Sequence, residues 1–230
     1  MPDFGYYNMD CMEGMKDFPD KYFDIAVCDP PYFSGPEKRK YYGGKISPIG
    51  VKRRYYRPSA EWKIPDRAYF NEVFRVSRHQ IIWGCNYFDY HFGPGRIIWD
   101  KCNGASSFSD CEIAYCSLHD SVRLFRYMWN GMMQGKSIEE GYIQQGNKKL
   151  NEKRIHPTQK PVNLYRWIAQ KYIQPGWKVL DTHVGSASSL IAYNEYGIEY
   201  TGYEIDPEMY LLSNSRRAES RSDLHKEEQL

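Results

Sequence analysis

The sequence predicts an α/β protein whose β-sheet is mainly parallel. Apolar runs at residues 22–30, 177–181 and 198–206 have the composition of buried strands. The second run leads into a predicted helix at 185–196, and the third into a helix at 207–219 that has proline in its first turn. Strands that alternate with helices favour parallel pairing, because each helix carries the chain back to the start of the next strand.

The other segments extend this alternation along the chain. Residues 4–11 predict a short strand that ends at Asp10, followed by a short helix. Further predicted elements are a helix from about Pro65 to Arg78, strands at 79–88, 95–101 and 111–117, and an amphipathic helix at 160–173. Residues 220–230 are charged, and we expect a frayed end there.

Length and composition indicate one domain over residues 1–230. The 31 basic and 29 acidic residues nearly balance, so net charge identifies no class of partner. None of the six cysteines forms a Cys-x-x-Cys pair, and no nearby histidine completes a zinc spacing, so we predict reduced core thiols and no metal site. No signal peptide or membrane-length apolar run is found, which predicts a cytoplasmic protein without a membrane partner.

The run from Ile25 to Phe33, IAVCDPPYF, ends a buried strand in a rigid acidic corner. Two consecutive prolines can continue neither a sheet nor a helix interior. The strand must therefore end there, with Asp29 and Tyr32 at its carboxyl edge. Ligands of open α/β sheets bind at that edge.

A second constellation, around residues 181–206, has the pattern of a nucleoside cofactor site. After the strand that ends at Asp181, Gly185 and the serines allow a ligand close to the backbone and a helix begins. The next strand ends at Glu204 and Asp206, where an acidic side chain can bind two ribose hydroxyls. The segment has neither a P-loop nor a good G-x-G-x-x-G sequence.

Together these motifs resemble the amino-group DNA methyltransferases that use S-adenosylmethionine. DPPY resembles their catalytic motif IV, VLDTHVGSAS their motif I, and HPTQKP, at His156 to Pro161, the lead-in to their motif X helix. The catalytic motif precedes the cofactor motif, as in the β class. The resemblance implies a Rossmann-like class I methyltransferase fold, with a mainly parallel seven-stranded sheet, helices on both faces and a circularly permuted motif order. It implies that residues 5–11 supply the third strand of that sheet.

The resemblance also implies the site residues and their roles. Asp29 and the Pro30 carbonyl would accept hydrogen bonds from the target amine, and Tyr32 would stack on a flipped base; the catalytic set is Asp29, Pro30, Pro31 and Tyr32. The implied cofactor set is Asp10, Cys11, Asp29, Lys160, Asp181, Thr182, His183, Gly185, Ser186, Glu204 and Asp206. Motif I departs from its usual Asp-Pro-Phe-x-Gly-Ser-Gly, since Thr182, His183 and Ala187 replace the proline, the phenylalanine and the last glycine.

Two basic segments are candidates for contact with double-stranded DNA. The basic loop, residues 33–60, interleaves cations with tyrosines, and residues 117–155 form a predicted short target-recognition insertion. The predicted nucleic-acid-binding residues are Phe33, Lys38, Arg39, Lys40, Tyr41, Lys52, Arg53, Arg54, Arg123 and Arg126. Because this predicted target-recognition insertion is short, we expect a short recognition sequence or the help of a second subunit, so a homodimer stays open. A separate cognate restriction endonuclease also stays open as a partner.

The resemblance favours a site-specific DNA adenine-N6 methyltransferase that flips its target base. Asp29 at the first position of DPPY favours adenine, while cytosine-N4 enzymes more often carry serine there. Three alternatives stay open: a cytosine-N4 enzyme, a nucleic-acid-binding protein with a decayed cofactor site, and methylation of RNA or of a protein amide. The altered motif I is the only support for decay.

Overall fold

The computed structural model describes residues 4–32, 63–104, 109–130 and 133–227, with side chains described as far as residue 220. Its strands are β1 (Gly5–Asn8), β2 (Phe23–Cys28), β3 (Ser77–Trp83), β4 (Arg96–Asp100), β5 (Cys111–Cys116), β6 (Val122–Arg126), β7 (Trp129–Asn130), β8 (Met133–Gln134), β9 (Lys178–Asp181) and β10 (Glu199–Glu204). Its α-helices are α1 (Cys11–Met15), α2 (Arg67–Val76), α3 (Val162–Tyr172), α4 (Ser188–Glu195) and α5 (Pro207–Glu227).

One eight-stranded sheet has the order β1-β10-β9-β2-β3-β5-β4-β6. The five strands from β1 to β3 pair in parallel, and β5 runs antiparallel to both of its neighbours. The predicted mainly parallel Rossmann-like sheet is confirmed. The edge strand β6, which pairs in parallel with β4, adds an eighth strand from the predicted insertion.

The amino-terminal strand lies where the permuted motif order predicts it. β1 pairs in parallel with β10, in register from Gly5 beside Thr201 to Asn8 beside Glu204. The chain therefore fills the third strand position of the sheet from its amino-terminal residues, beside the strand that ends at Glu204.

Both faces of the sheet are covered, as expected of a buried parallel sheet. On β2, Ile25 and Val27 belong to a core cluster that includes side chains of α3 and α4. Ala26 and Cys28 face the opposite cluster, which includes side chains of α1 and α2. Alternate residues of one strand thus serve two cores.

Three local expectations need correction or comment. The predicted helix from about Pro65 to Arg78 is α2, and β3 already begins at Ser77. The last helix continues to Glu227, beyond its predicted end and through most of the segment expected to fray. All six cysteines are free thiols, and four of them are buried. Among the described residues, no helix is long and apolar enough to cross a membrane.

Candidate active site

The DPPY corner lies at the carboxyl end of β2, an inner strand of the sheet. β2 pairs with β3 on one side and β9 on the other, so Asp29 emerges between the ends of two parallel neighbours. Pro30 and Pro31 follow, and neither can donate a hydrogen bond to extend the ladder. The prolines therefore fix the corner at the edge where ligands of such sheets bind.

A single cleft brings the corner together with the other two motifs. Its described lining has contributions from the corner, the 156–160 loop, α3, the loop after β9 and the end of β10. These residues are Asp29, Pro30, Pro31, Tyr32, His156, Thr158, Gln159, Lys160, Tyr165, His183, Val184, Gly185, Ser186, Ser188, Glu204, Ile205 and Met209. Segments far apart in the sequence therefore enclose one potential ligand site.

A buried row of alternating charges supports the corner. Lys160 Nζ lies 2.5 Å from Asp29 Oδ1 and 3.0 Å from Glu112 Oε2, and the Lys160 side chain is only 3% exposed. Glu112 also pairs through Oε1 with Lys101. The order Asp29, Lys160, Glu112, Lys101 alternates negative and positive groups, as buried charges require.

Tyr32 is held on two sides. Its hydroxyl donates a 2.9 Å hydrogen bond to Glu112 Oε2, and its ring stacks on Tyr87 with centroids 5.1 Å apart. Gly84, in a left-handed conformation at φ 70°, passes directly behind the ring. The Tyr32 ring thus has a defined place at the cleft, set by Glu112 on β5 and by the segment from Gly84 to Tyr87 after β3.

The charges of the corner shift one another's pKa values. Burial raises the pKa of Asp29, and the Lys160 ammonium opposes that shift. Burial alone would raise the pKa of Glu112 as well, but Lys160 and Lys101 hold the pKa of Glu112 at about 2. Burial would lower the pKa of Lys160, but Asp29 and Glu112 raise it. Lys160 is therefore shared between two carboxylates, and its charge opposes the effect of burial on the pKa of each.

The loop after β9 contains two residues in the left-handed conformation. Gly185 adopts φ 53° and Ala187 adopts φ 60°, so an alanine holds a left-handed position where the resembled motif has glycine. Asp181 orients the loop, since its carboxylate accepts hydrogen bonds from the His183 N–H at 3.1 Å and from Ser189 Oγ at 2.5 Å. Glu204 Oε2 accepts a 2.9 Å bond from the Gly185 N–H.

Two partly buried histidines line the same cleft as neutral groups. Burial lowers the pKa of His156 to about 4, although the charge of Asp206 opposes the shift. Burial likewise lowers the pKa of His183 to about 4, against the charge of Asp10. Asp10 is thus close enough to act electrostatically on a cleft residue.

Asp181 gives a pH-dependent stability that can be measured. Burial raises the pKa of Asp181 to about 7 from its ordinary value of 3.8. Between these values the folded protein retains a proton that the unfolded chain has lost, so the stability contributed by Asp181 decreases as pH rises through this window. Asp181→Asn removes that loss. We expect the Tm of Asp181→Asn, relative to wild type, to rise between pH 5 and pH 8 in thermal unfolding; a constant difference would contradict this reading.

The structure assigns other local contacts to several residues of the predicted cofactor set. Asp206 caps α5 by accepting from the Glu208 and Met209 N–H groups. Asp10 caps α1. Cys11 lies in the core, and the Thr182 hydroxyl bonds the Tyr69 hydroxyl at 2.6 Å. None of these four residues is in the described lining of the cleft, whereas Gly185, Ser186, His183, Glu204 and Lys160 are.

The predicted nucleic-acid-binding residues fall into two groups. Phe33, Lys38, Arg39, Lys40, Tyr41, Lys52, Arg53 and Arg54 lie outside the described residues. Arg123 and Arg126 lie on the edge strand β6, where Arg126 pairs with Asp100 at 3.3 Å, and neither lines the cleft.

Sequence reasoning missed four residues of the corner: Gly84, Tyr87, Lys101 and Glu112. Gly84 and Tyr87 follow β3, Lys101 follows β4 directly, and Glu112 lies on β5. The one signal in the sequence is that acidic and basic side chains interrupt apolar runs at strand ends. Such residues lie at the sheet edge, but nothing in the spacing pairs them with Lys160.

Comparison with known proteins agrees with this arrangement. A family model described as DNA methylase, N6_N4_Mtase, matches residues 120–215. The type II methyltransferase M.HinfI of Haemophilus influenzae is 22% identical over 242 residues, covering 91% of this chain and 67% of M.HinfI. M2.MboI, a type II methyltransferase of Moraxella bovis, is 25% identical over 248 residues, covering 93% of this chain and 87% of M2.MboI.

A solved structure shares the fold. The PvuII DNA methyltransferase, which is cytosine-N4-specific, superposes with a TM-score of 0.54 at 13% identity, covering 93% of this chain and 86% of the other. In its sequence matches and in the motifs gathered around one cleft, this chain is similar to the N6/N4 family of S-adenosylmethionine-dependent DNA methyltransferases.

Proposed function

We propose that this protein transfers a methyl group from S-adenosylmethionine to adenine N6 in DNA, on a base flipped out of the duplex. The observation that carries the proposal is the shared cleft. Asp29 and Pro30 reach it from the end of β2, while Gly185 and Glu204 reach it from the neighbouring cofactor-type loop and strand end. The groups proposed to accept the N–H groups of the target amine and those proposed to hold the nucleoside thus line the same cleft.

The residues of the cleft fit the cofactor. A Cβ added to Gly185 would meet no atom within 4 Å, so the backbone there is open to a ligand. Glu204 would hold the ribose hydroxyls, and His183 and Ser186 would border the nucleoside. The cofactor supplies an electrophilic methyl group, and the protein's task is to place and polarise the acceptor.

The corner can activate an amine without a strong base. An exocyclic amine is a poor nucleophile because its lone pair is delocalised into the ring. Lys160 Nζ donates a hydrogen bond to Asp29 Oδ1. No partner of Asp29 Oδ2 is found in the part of the chain that the structure describes. That oxygen and the Pro30 carbonyl would accept the two N–H groups of the amine and stabilise the charge that develops on nitrogen.

Adenine is proposed as the target base because the first residue of DPPY is an aspartate, Asp29. Cytosine-N4 is the second candidate, because the cytosine-N4-specific PvuII enzyme has the same fold. Identity of 13% supports the fold and carries no base preference. An exocyclic amine is the acceptor in both reactions, so the described corner suits either base.

The conformation of the loop after β9 favours a functional cofactor site over a decayed one. The replacement of a motif I glycine by Ala187 leaves the left-handed turn in place, with the helix α4 beginning directly after it. Gly185, the position at which a ligand would approach the backbone, is unchanged. The substitutions therefore alter the border of the cleft without closing it.

DNA contact is assigned to the basic loop 33–60. Replacing Arg53 and Arg54 together by alanine should weaken DNA binding and flatten its dependence on salt, with the log–log slope reduced by about 1 to 2. Fluorescence anisotropy at several salt concentrations measures both effects. Unchanged binding would move the assignment to residues 117–155. A second copy of the chain and a separate restriction endonuclease are further partners that the resemblance allows.

The function is tested by sequencing methylated bases. Plasmid DNA from bacteria that express the chain should carry N6-methyladenine at one short motif in single-molecule sequencing, and DNA from an Asp29→Ala strain should carry none. N4-methylcytosine at such a motif would establish the second candidate. Absence of any modified base would overturn both.

A further inference from the structure

Glu112 is a partly buried carboxylate that belongs to none of the sequence motifs. It lies on β5, an antiparallel strand, directly opposite Trp99 of β4. Its Oε2 atom lies 3.0 Å from Lys160 Nζ and accepts a 2.9 Å hydrogen bond from the Tyr32 hydroxyl. One oxygen atom therefore contacts both neighbours of the proposed amine acceptor.

We propose that Glu112 is a positioning residue for methyl transfer, which draws Lys160 away from full pairing with Asp29 and fixes Tyr32 beside it. The inference rests on the proposed function of the same cleft. Glu112 lies too far along the row to touch the reacting atoms itself, because Lys160 stands between it and Asp29.

The division of the Lys160 ammonium between two carboxylates explains why the arrangement helps. A carboxylate is a weaker hydrogen-bond acceptor for a neutral amine when it is the single anionic partner of a buried ammonium, because that ammonium already compensates its charge. Glu112 takes part of that ammonium, and Lys101 in turn offsets Glu112. Asp29 then shares its cationic partner with a second carboxylate.

The charged side chains of the row act on the pKa of Asp29 in opposite directions. Burial first raises the pKa of Asp29; Lys160 and Lys101 then lower it, while Glu112 raises it. Among the described residues, Tyr32, Tyr165 and Asp181 also interact electrostatically with Asp29. Changes in Glu112 and Lys101 leave these three groups in place.

Glu112→Gln keeps the shape of the side chain and removes its charge. We expect kcat to fall about 10-fold to 100-fold, the cost of a displacement of about 1 Å in a reacting group. Because Lys160 then pairs with Asp29 alone, the acidic limb of the pH–rate profile should move to lower pH. Glu195→Gln is the matched control: Glu195 is a similarly buried carboxylate that pairs with Arg166 at 2.6 Å, away from the corner.

Lys101→Gln changes the other end of the row and should shift the acidic limb of the pH–rate profile in the direction opposite to Glu112→Gln. Without Lys101, Glu112 binds Lys160 more strongly, so this limb should move to higher pH than in the wild type. A purely structural role would lower the active fraction of either variant without moving the limb. If the acidic limb lies at the same pH in the wild type and in both variants, the proposal is overturned.

A measurement without DNA separates this inference from the proposed function. Carboxyl ¹³C NMR, with the Asp29 signal assigned by its loss in Asp29→Asn, follows the titration of Asp29 directly. A lower Asp29 pKa in Glu112→Gln and a higher one in Lys101→Gln would support the proposed action of Glu112 on Asp29 through Lys160, even if the wild type methylates no DNA. If neither variant changes the Asp29 pKa, that action is overturned, even if the wild type is fully active.

Discussion

Methyl transfer by Asp29→Ala should fall at least about 10²-fold to 10³-fold, the loss that follows removal of one preorganised hydrogen-bonding group at a developing charge. The variant loses the carboxylate oxygen that would polarise the amine, and the Pro30 carbonyl alone cannot replace it. The loss should appear in the single-turnover rate with S-adenosylmethionine and a methylatable duplex. Binding of the cofactor, measured by calorimetry, should change little, because Gly185 and Glu204 are untouched.

The fold should survive this substitution for a reason visible in the buried row. Removal of Asp29 leaves Lys160 paired with Glu112 at 3.0 Å, so the ammonium keeps a counter-charge. Asp24→Ala is the control, since Asp24 lies at the opposite end of the same strand, where it accepts a 2.9 Å bond from the Lys178 N–H. Near-wild-type transfer by Asp29→Ala, with Asp24→Ala equally active, would remove Asp29 from the mechanism.

The sequence predicted those parts of the site that depend on local chain order. An apolar run followed by DPPY can only end a strand, and the position of β1 beside β10 follows from the permuted motif order. Gly185 and Glu204 were predicted because a small-residue turn and an acidic strand end recur at a fixed spacing. Their convergence on one cleft followed from the rule that ligands bind at the carboxyl edge of such sheets.

For Asp10 and Asp206 the same reasoning leaves two roles open. Both follow a strand and both precede a helix, so a ligand-binding role and an N-cap role fit the same pattern. The structure gives each carboxylate to the first turn of the following helix. Proline at the first helical position after Asp206 was the signal that favoured capping.

The charged row was not predictable, because its members come together only through tertiary packing. Glu112 is 80 residues from Tyr32. Lys160 is 131 residues from Asp29, and it lies in a loop whose position depends on other contacts. One of these contacts is the 2.7 Å bond from Trp129 Nε1 to the Gln159 carbonyl. No periodicity records such pairings, so Lys160 was predicted to contact the cofactor on resemblance alone.

Gly84→Ala should produce the other large loss of activity. A Cβ at Gly84 would lie 2.2 Å from Tyr32 Cδ1 and 2.3 Å from its Cγ, and at φ 70° the added side chain also strains the backbone. The backbone cannot easily retreat, because the Gly84 N–H donates to the Ile113 carbonyl at 2.9 Å and its own carbonyl accepts from Tyr87 N–H at 2.9 Å. The Tyr32 ring must therefore move.

That movement would break the Tyr32 bond to Glu112 and the stack on Tyr87, so kcat/KM should fall about 10²-fold. Gly176→Ala separates strain from displacement, since Gly176 has φ 80° and a Cβ there would meet nothing within 4 Å. Left-handed strain of about 1 kcal/mol should lower the Tm of either variant by about 2–4 °C. Only Gly84→Ala should lose activity.

A double-mutant cycle decides whether Gly84 acts through Tyr32. If the alanine at 84 harms the enzyme only by displacing that ring, then Gly84→Ala combined with Tyr32→Ala should be no less active than Tyr32→Ala alone. Additive losses would mean that Gly84 acts through another group, such as the backbone of β5. Equal activity of Gly84→Ala and Gly176→Ala would mean that the position of the Tyr32 ring does not limit methyl transfer.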